Sequence, residues 1–146
     1  MKFCRINLSE TNYDVNALDW YYLVASDSYI TRMDTIYQKY CAYKKFNSVM
    51  PIFKSQYRDR DTDRIGYYHN NQLVAFSLVK KYDSENAECL QFAWDYANPE
   101  LYLGAESLKS ECALYKSLGF KYLYLGQAAD YKSQIDGYEI LGTINV

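Results

Sequence analysis

Two stretches near the end of the chain carry residue types that could do chemistry. The first, Trp94-Asp95-Tyr96-Ala97-Asn98-Pro99-Glu100-Leu101-Tyr102-Leu103-Gly104, reads as the end of a strand, a proline turn and the opening of a helix. A helix start leaves backbone N–H groups without intrahelical partners, and such groups can hold a phosphate, a carboxylate or an acyl carbonyl. The second, Phe120-Lys121-Tyr122-Leu123-Tyr124-Leu125-Gly126-Gln127, alternates tyrosine and leucine with period two. That spacing sends Tyr122 and Tyr124 to one face of a strand and Leu123 and Leu125 to the other, and Gly126 allows the backbone to bend or be approached closely.

Other chemistries are less well provided for. Cys4, Cys41, Cys89 and Cys112 are far apart and form no CxxC or Cys/His grouping, so they read as reduced cysteines packed as small hydrophobes, and no metal site is expected. His69 is the only histidine and lies in Tyr68-His69-Asn70-Asn71-Gln72, where Asn-Asn is turn chemistry, so it reads as a turn residue. A formal charge of −2 gives no bulk attraction to polyanions, and nucleic-acid binding would need a local basic patch. Arg58, Arg60 and Arg64 alternate with Asp59, Asp61 and Asp63, which cancels most of their field. The 18 tyrosines suit half-wet clefts as well as core edges, because each has an apolar ring and a polar tip.

The elements that must position these residues follow from periodicity. At 146 residues the chain is expected to form one domain over 1–146. Phe3 to Leu8 reads as a strand. Leu18, Tyr21, Tyr22 and Ala25 fall at helical spacing and predict a helix from about Asn16, capped by Asn16 or Asp14. A second helix is predicted from Asp34 to Phe46, and a short one around Ile52 to Tyr57. Arg64 to His69 and Leu73 to Lys80 predict a hairpin about Asn70-Asn71, followed by a strand from Glu88 to Tyr96. Ala105, Leu108, Cys112 and Tyr115 predict a helix from Gly104 to Leu118 with Gly119 as its C-terminal cap. A strand-helix-strand crossover implies that the two strands flanking that helix lie parallel or as near neighbours in one sheet, so the class is α/β with a mixed, mostly antiparallel sheet flanked by helices.

The order of elements resembles the GNAT acyltransferase fold. The residues resemble more specifically the C-terminal region of arginyl-tRNA–protein transferases, in which a strand ends in a Tyr-Asp-Pro turn, Ser-Leu-Gly opens a helix, and a Leu-Gly precedes Tyr-Leu-Tyr-Leu-Gly-Tyr. The corresponding residues here are Trp94-Asp95-Tyr96 with Asn98-Pro99, then Tyr102-Leu103-Gly104, Ser107-Leu108, Glu111, Leu118-Gly119 and Tyr122-Leu123-Tyr124-Leu125-Gly126. Ile36 to Tyr40 resembles that family's Tyr-x-x-Tyr-Gln helix, Leu73-Val74-Ala75 its Leu-Ile-Ala-Val strand, and Tyr131-Lys132-Ser133-Gln134 with Glu139-Ile140-Leu141 its ending. The family's acidic residue after that strand corresponds here to Lys80. The related leucyl/phenylalanyl-tRNA–protein transferases end the equivalent strand with Asp-x-Gln, and in Leu125-Gly126-Gln127 only the Gln is matched.

The resemblance implies acyl transfer to an amine with aminoacyl-tRNA as donor substrate and no bound cofactor. Gln127 and the Gly104 region would stabilise the developing oxyanion, Tyr124 or Tyr131 would act as general acid to the leaving group, and Asp95 would orient the amine. Tyr96, Tyr102, Leu103 and Gly104 would contact substrate, with Lys80, Lys81 and Lys132 as a cationic rim. Acetyl-CoA is a less favoured donor, because Leu101 to Glu106 puts a leucine first and an acid last where a pyrophosphate loop would stand. A non-catalytic peptide- or amino-acid-binding module is the remaining alternative. No apolar run is long enough for a transmembrane helix, and MKFCRINLSE has no signal-peptide character, so a cytoplasmic protein without membrane partners is expected.

Overall fold

A computed structural model describes residues 2–16, 18–24, 26–44, 59–95, 103–128 and 132–143, with the side chains of Gln127 and Thr143 outside the description. The described strands are β1 (Lys2–Asn7), β2 (Asp19–Tyr22), β3 (Thr62–His69), β4 (Gln72–Lys81), β5 (Asn86–Trp94), β6 (Tyr122–Gln127) and β7 (Tyr138–Thr143). Among the described residues two α-helices, α1 (Asp27–Lys44) and α2 (Leu103–Ser117), flank them. The strands form one sheet in the order β2-β3-β4-β5-β6-β1-β7. Only β5 and β6 run parallel; the other neighbours are antiparallel. This is the mixed α/β sheet expected from the crossover through α2.

The hairpin between β3 and β4 turns at Asn70 and Asn71, whose φ values of 51° and 62° are those that asparagine tolerates in a tight two-residue turn. Gly119 ends α2 with φ +93°, and its N–H donates to the Lys116 carbonyl. β4 shows why the sheet carries helices on both faces. Val74 to Val79 is buried at every position, so neither face meets water. Phe76 and Leu78 pack with Met33, Ile36, Tyr37 and Cys41 of α1. Ala75 and Val79, on the other face, pack with Leu103, Leu108, Cys112 and Tyr115 of α2.

Three segments differ from expectation. The Leu18 to Ala25 spacing does not make a helix: Asp19–Tyr22 is an edge strand paired with β3. Trp20, Tyr21 and Tyr22 are aromatic residues that favour the pleated surface, and a window this short cannot separate the two periods. Asp14 accepts a hydrogen bond from the Asn16 N–H, closing a turn where a cap was expected. Ser26, in contrast, caps α1 by accepting from the Tyr29 N–H, so the helix begins seven residues before Asp34. β7 was not foreseen, because Gly137 and Gly142 bracket only a short apolar run; it forms by adding to the free edge of β1. The expected helix around 52–57 and the Asn98-Pro99 turn lie outside the described residues.

Candidate active site

β5 and β6 are hydrogen-bonded neighbours only at their beginnings, where Asn86, Ala87 and Glu88 face Tyr122, Leu123 and Tyr124. Beyond Glu88 the strands part. The register between β4 and β5 also slips, with Val79 opposite Cys89 and Leu78 opposite Gln91, so Leu90 is the extra residue of a β-bulge. Such bulges re-aim side chains and break the ladder locally. A regular strand would show alternate residues to one side. Here Cys89, Leu90, Gln91 and Phe92 in succession line a cavity of about 190 Å³.

The cavity reaches both layers of the fold. Tyr40 of α1 closes it from one face of the sheet, and Gly104, Ser107, Leu108 and Glu111 of α2 close it from the other. Leu125 of β6 and Lys132, from the short 3-10 turn Lys132–Gln134, complete the wall. Leu103, Ser107, Glu111 and Tyr115 are spaced so that one face of α2 looks onto the sheet. Glu111 therefore enters an apolar stripe, and only 3% of it is exposed.

A buried carboxylate requires partners. Glu111 Oε2 accepts from Tyr67 Oη at 2.5 Å and from Ser77 Oγ at 2.9 Å. Oε1 accepts from Cys89 Sγ at 3.6 Å, a weak donor that leaves this oxygen with spare capacity. Burial raises the carboxyl to about 7, against the three hydrogen bonds that hold it down. The same burial, together with the Glu111 charge, pushes the Tyr67 phenol and the Cys89 thiol well up, so both stay protonated and act as donors. A carboxyl that exchanges its proton near neutral pH at the wall of a cavity has the properties of a general base.

The residues singled out from the sequence are distributed unevenly around this cavity. Gly104 and Lys132 line it. Leu103 is buried at the start of α2. Lys132 Nζ donates to the Leu125 carbonyl at 2.9 Å, which fixes the ammonium beside the cavity. Tyr124 is not on the cavity wall; its hydroxyl accepts from Arg5 Nη1 at 3.2 Å. Asp95 pairs with Lys39 at 3.5 Å and ties the end of β5 to α1. Lys80 pairs with Asp59 at 3.8 Å and Lys81 with Asp63 at 3.1 Å, so carboxylates offset both charges of that part of the expected rim. Glu106 pairs with Lys109 one turn along α2. Tyr96, Tyr102, Tyr131 and the Gln127 side chain lie outside the described part, although the Gln127 backbone ends β6. No group of side chains among the described residues could hold a metal ion.

Glu111, Tyr67, Ser77 and Cys89 form the cluster that periodicity alone did not single out. A signal for it existed: Glu111 interrupts the apolar spacing Leu108, Cys112, Tyr115, and Ser77 interrupts Val74 to Val79. Polar residues at core positions of two elements imply a buried partner for each.

No protein-family model matches the chain, and no curated protein matches it. Solved structures do. The C-terminal domain of a lysylphosphatidylglycerol synthetase from Agrobacterium fabrum superposes with a TM-score of 0.66 at 10% identity, covering 87% of this chain and 46% of that one. The L-PGS of Bacillus licheniformis gives 0.68 at 10% identity with the same coverage. The chain thus spans about half the length of these two structures. A GCN5-related N-acetyltransferase from Kribbella flavida gives 0.59 at 13% identity over 94% of this chain and 53% of its own. Among the described residues, a seven-stranded mixed sheet that parts at its one parallel pair and is flanked by two helices is the GNAT-type acyltransferase fold.

Proposed function

We propose that this chain is an acyltransferase that moves an aminoacyl group from an aminoacyl-tRNA ester to an amine, in the manner of the arginyl-tRNA–protein transferases. The observation that carries the reading is the cavity where β5 and β6 part, with the Glu111 carboxyl poised near neutral on its wall. An attacking nucleophile must lose a proton, and Glu111 is the group placed to take it. The edge of β5 beyond Glu88, where pairing with β6 ends, and the first turn of α2 would supply N–H groups for a carbonyl oxygen that gains charge. Gln127, two residues beyond Leu125 on β6, is a candidate for the same role, and Tyr131 for proton delivery to the leaving oxygen. Tyr96, Tyr102, Leu103 and Gly104 are candidates for substrate contact; of these Gly104 lines the cavity and Leu103 is buried beside it. Lys132, on the cavity wall, would meet the tRNA end, with Lys80, which pairs with Asp59, as a further candidate.

Size supports a small acyl group. A cavity of about 150 Å³ admits benzene, so 190 Å³ has room for an aminoacyl or short acyl group. A second reading, acyl transfer from a CoA thioester, is favoured by Gly104: a Cβ built there meets nothing within 4 Å, which leaves room for a ligand to approach the start of α2.

The test is binding and turnover with aminoacyl-tRNA, uncharged tRNA and acetyl-CoA at two salt concentrations, with a primary amine as acceptor. The first reading expects salt-sensitive binding of tRNA and transfer of the aminoacyl group. Transfer from acetyl-CoA alone would replace it by the second reading, and binding of neither donor would overturn both.

A further inference from the structure

The cavity holds a nucleophile that a single direct transfer would not need. Cys89 is the partly exposed one of the four cysteines; Cys4, Cys41 and Cys112 are 1%, 2% and 0% exposed. Its Sγ points at Glu111 Oε1 from 3.6 Å, and both residues line the cavity. Tyr67 and Ser77 hold the other carboxylate oxygen, which fixes the orientation of the base. A nucleophile in hydrogen-bond reach of a base that is itself oriented by third groups is the arrangement by which covalent catalysis is recognised. Its location beside the β5 bulge places Cys89 just beyond Glu88, where the pairing of β5 with β6 ends.

We propose that Cys89 is a catalytic nucleophile that carries the acyl group as a thioester before the amine receives it. The inference rests on the acyl-transfer reading above. In the first step Cys89 Sγ attacks the carbonyl carbon of an ester or thioester donor, and Glu111 takes the thiol proton. The C–S bond forms, the bond to the donor oxygen or sulfur breaks, and that atom leaves with the proton returned by Glu111. In the second step the amine nitrogen attacks the thioester carbon, the C–N bond forms, the C–S bond breaks, and the amine proton passes by way of Glu111 to the departing sulfur. No oxidant, reductant or metal is required. A high thiol pKa does not prevent this, since a weakly acidic hydroxyl is activated in the same way by an adjacent base.

The groups facing Glu111 are Tyr67 and Ser77 from β3 and β4, Cys89 from β5, Cys112 and Tyr115 along α2, with Tyr40 and Lys132 on the cavity wall. Burial pushes these thiols and phenols up, so the pH profile of acylation is set by Glu111.

The experiment uses the whole chain and the acetyl thioester of N-acetylcysteamine, a probe small enough for the cavity, with intact-mass and peptide mass spectrometry. Without an amine, one acetyl group is expected on Cys89 and none on the other cysteines. The acylation rate is expected to rise about tenfold per pH unit below 7 and to level off above it. Glu111→Gln should slow acylation about 100-fold or more, and Glu111→Asp, which keeps a carboxyl, should retain part of the rate. With an amine present, Cys89→Ala should lose transfer by at least about 100-fold, while Cys89→Ser should trap the acyl group as an ester. Transfer by Cys89→Ala within about threefold of the unaltered chain, a change far below that expected of a lost nucleophile, would overturn the proposal. Amine product without any acyl-Cys89 in single turnover would do the same, as would failure of the probe to acylate Cys89 at any pH. Acylated Cys89 that no amine discharges would also overturn the carrier role, whereas amine transfer retained by Cys89→Ala would overturn it and leave the acyl-transfer reading standing.

Discussion

At the scale of single residues the chemistry depends on one buried carboxylate. Glu111 is kept from water by α2 and the sheet, and its three donors come from three different strands. Removing the carboxylate charge while keeping the shape separates its roles. Glu111→Gln should retain the fold, because an amide can still accept from Tyr67 and Ser77, and should lose acyl transfer by about 100-fold or more in a steady-state assay. Tyr67→Phe removes the 2.5 Å hydrogen bond and leaves the carboxylate with fewer donors. The Glu111 carboxyl should then titrate above 7, and the activity profile should move to higher pH, read as a shift in the apparent pKa of kcat/KM.

Elements place these residues, and two glycines show opposite constraints. Gly104 is the second residue of α2; a Cβ there touches nothing within 4 Å and adds helix propensity. Gly104→Ala should therefore raise stability by about 0.4–1 kcal/mol, measured by denaturant unfolding, while lowering activity if the acyl donor passes over the start of α2. A gain in stability with undiminished activity would exclude that path for the donor. Gly137 is the reverse. Its φ is +81°, and a Cβ would lie 2.3 Å from the Asn7 carbonyl oxygen, in the contact where the Asn7 N–H donates to the Gly137 carbonyl. Gly137→Ala should cost at least about 2 kcal/mol, from the left-handed conformation together with the clash. The loss should appear as a lower unfolding midpoint, with β7 released from β1.

For the whole molecule, Glu111 couples stability to pH. Its carboxyl is raised from an ordinary value of 4.5 to about 7 by burial, so between those values the folded chain holds a proton that the unfolded chain has lost. Stability contributed by the protonated form is complete below pH 4.5 and falls as pH rises toward 7. The loss is on the order of 3 kcal/mol for a shift of this size. Thermal unfolding from pH 5 to pH 8 should show this decline in the unaltered chain and a flatter curve in Glu111→Gln. Equal slopes in the two would mean that the carboxyl is not buried as described. Among the described residues no helix is long and apolar enough to cross a membrane.

The sequence by itself determined the elements with strong local signals. The Asn70-Asn71 hairpin, α2 with its Gly119 cap, the Tyr122 to Leu125 alternation and the parallel crossover were legible because turn chemistry and period are properties of adjacent residues. It could not separate strand from helix at Trp20 to Tyr22, where the pairing partner is β3. Nor could it foresee β7, which exists because β1 offers a free edge. Glu111 was visible as one matched position in a family resemblance, and Cys89 as a small hydrophobe. Only the tertiary structure brings residues 67, 77, 89 and 111 together, because the bulge at Leu90 and the parting of β5 from β6 open a cavity that no local pattern encodes. A buried carboxylate acquires its chemistry from desolvation and from donors distant in sequence, and both exist only once the sheet and α2 have packed.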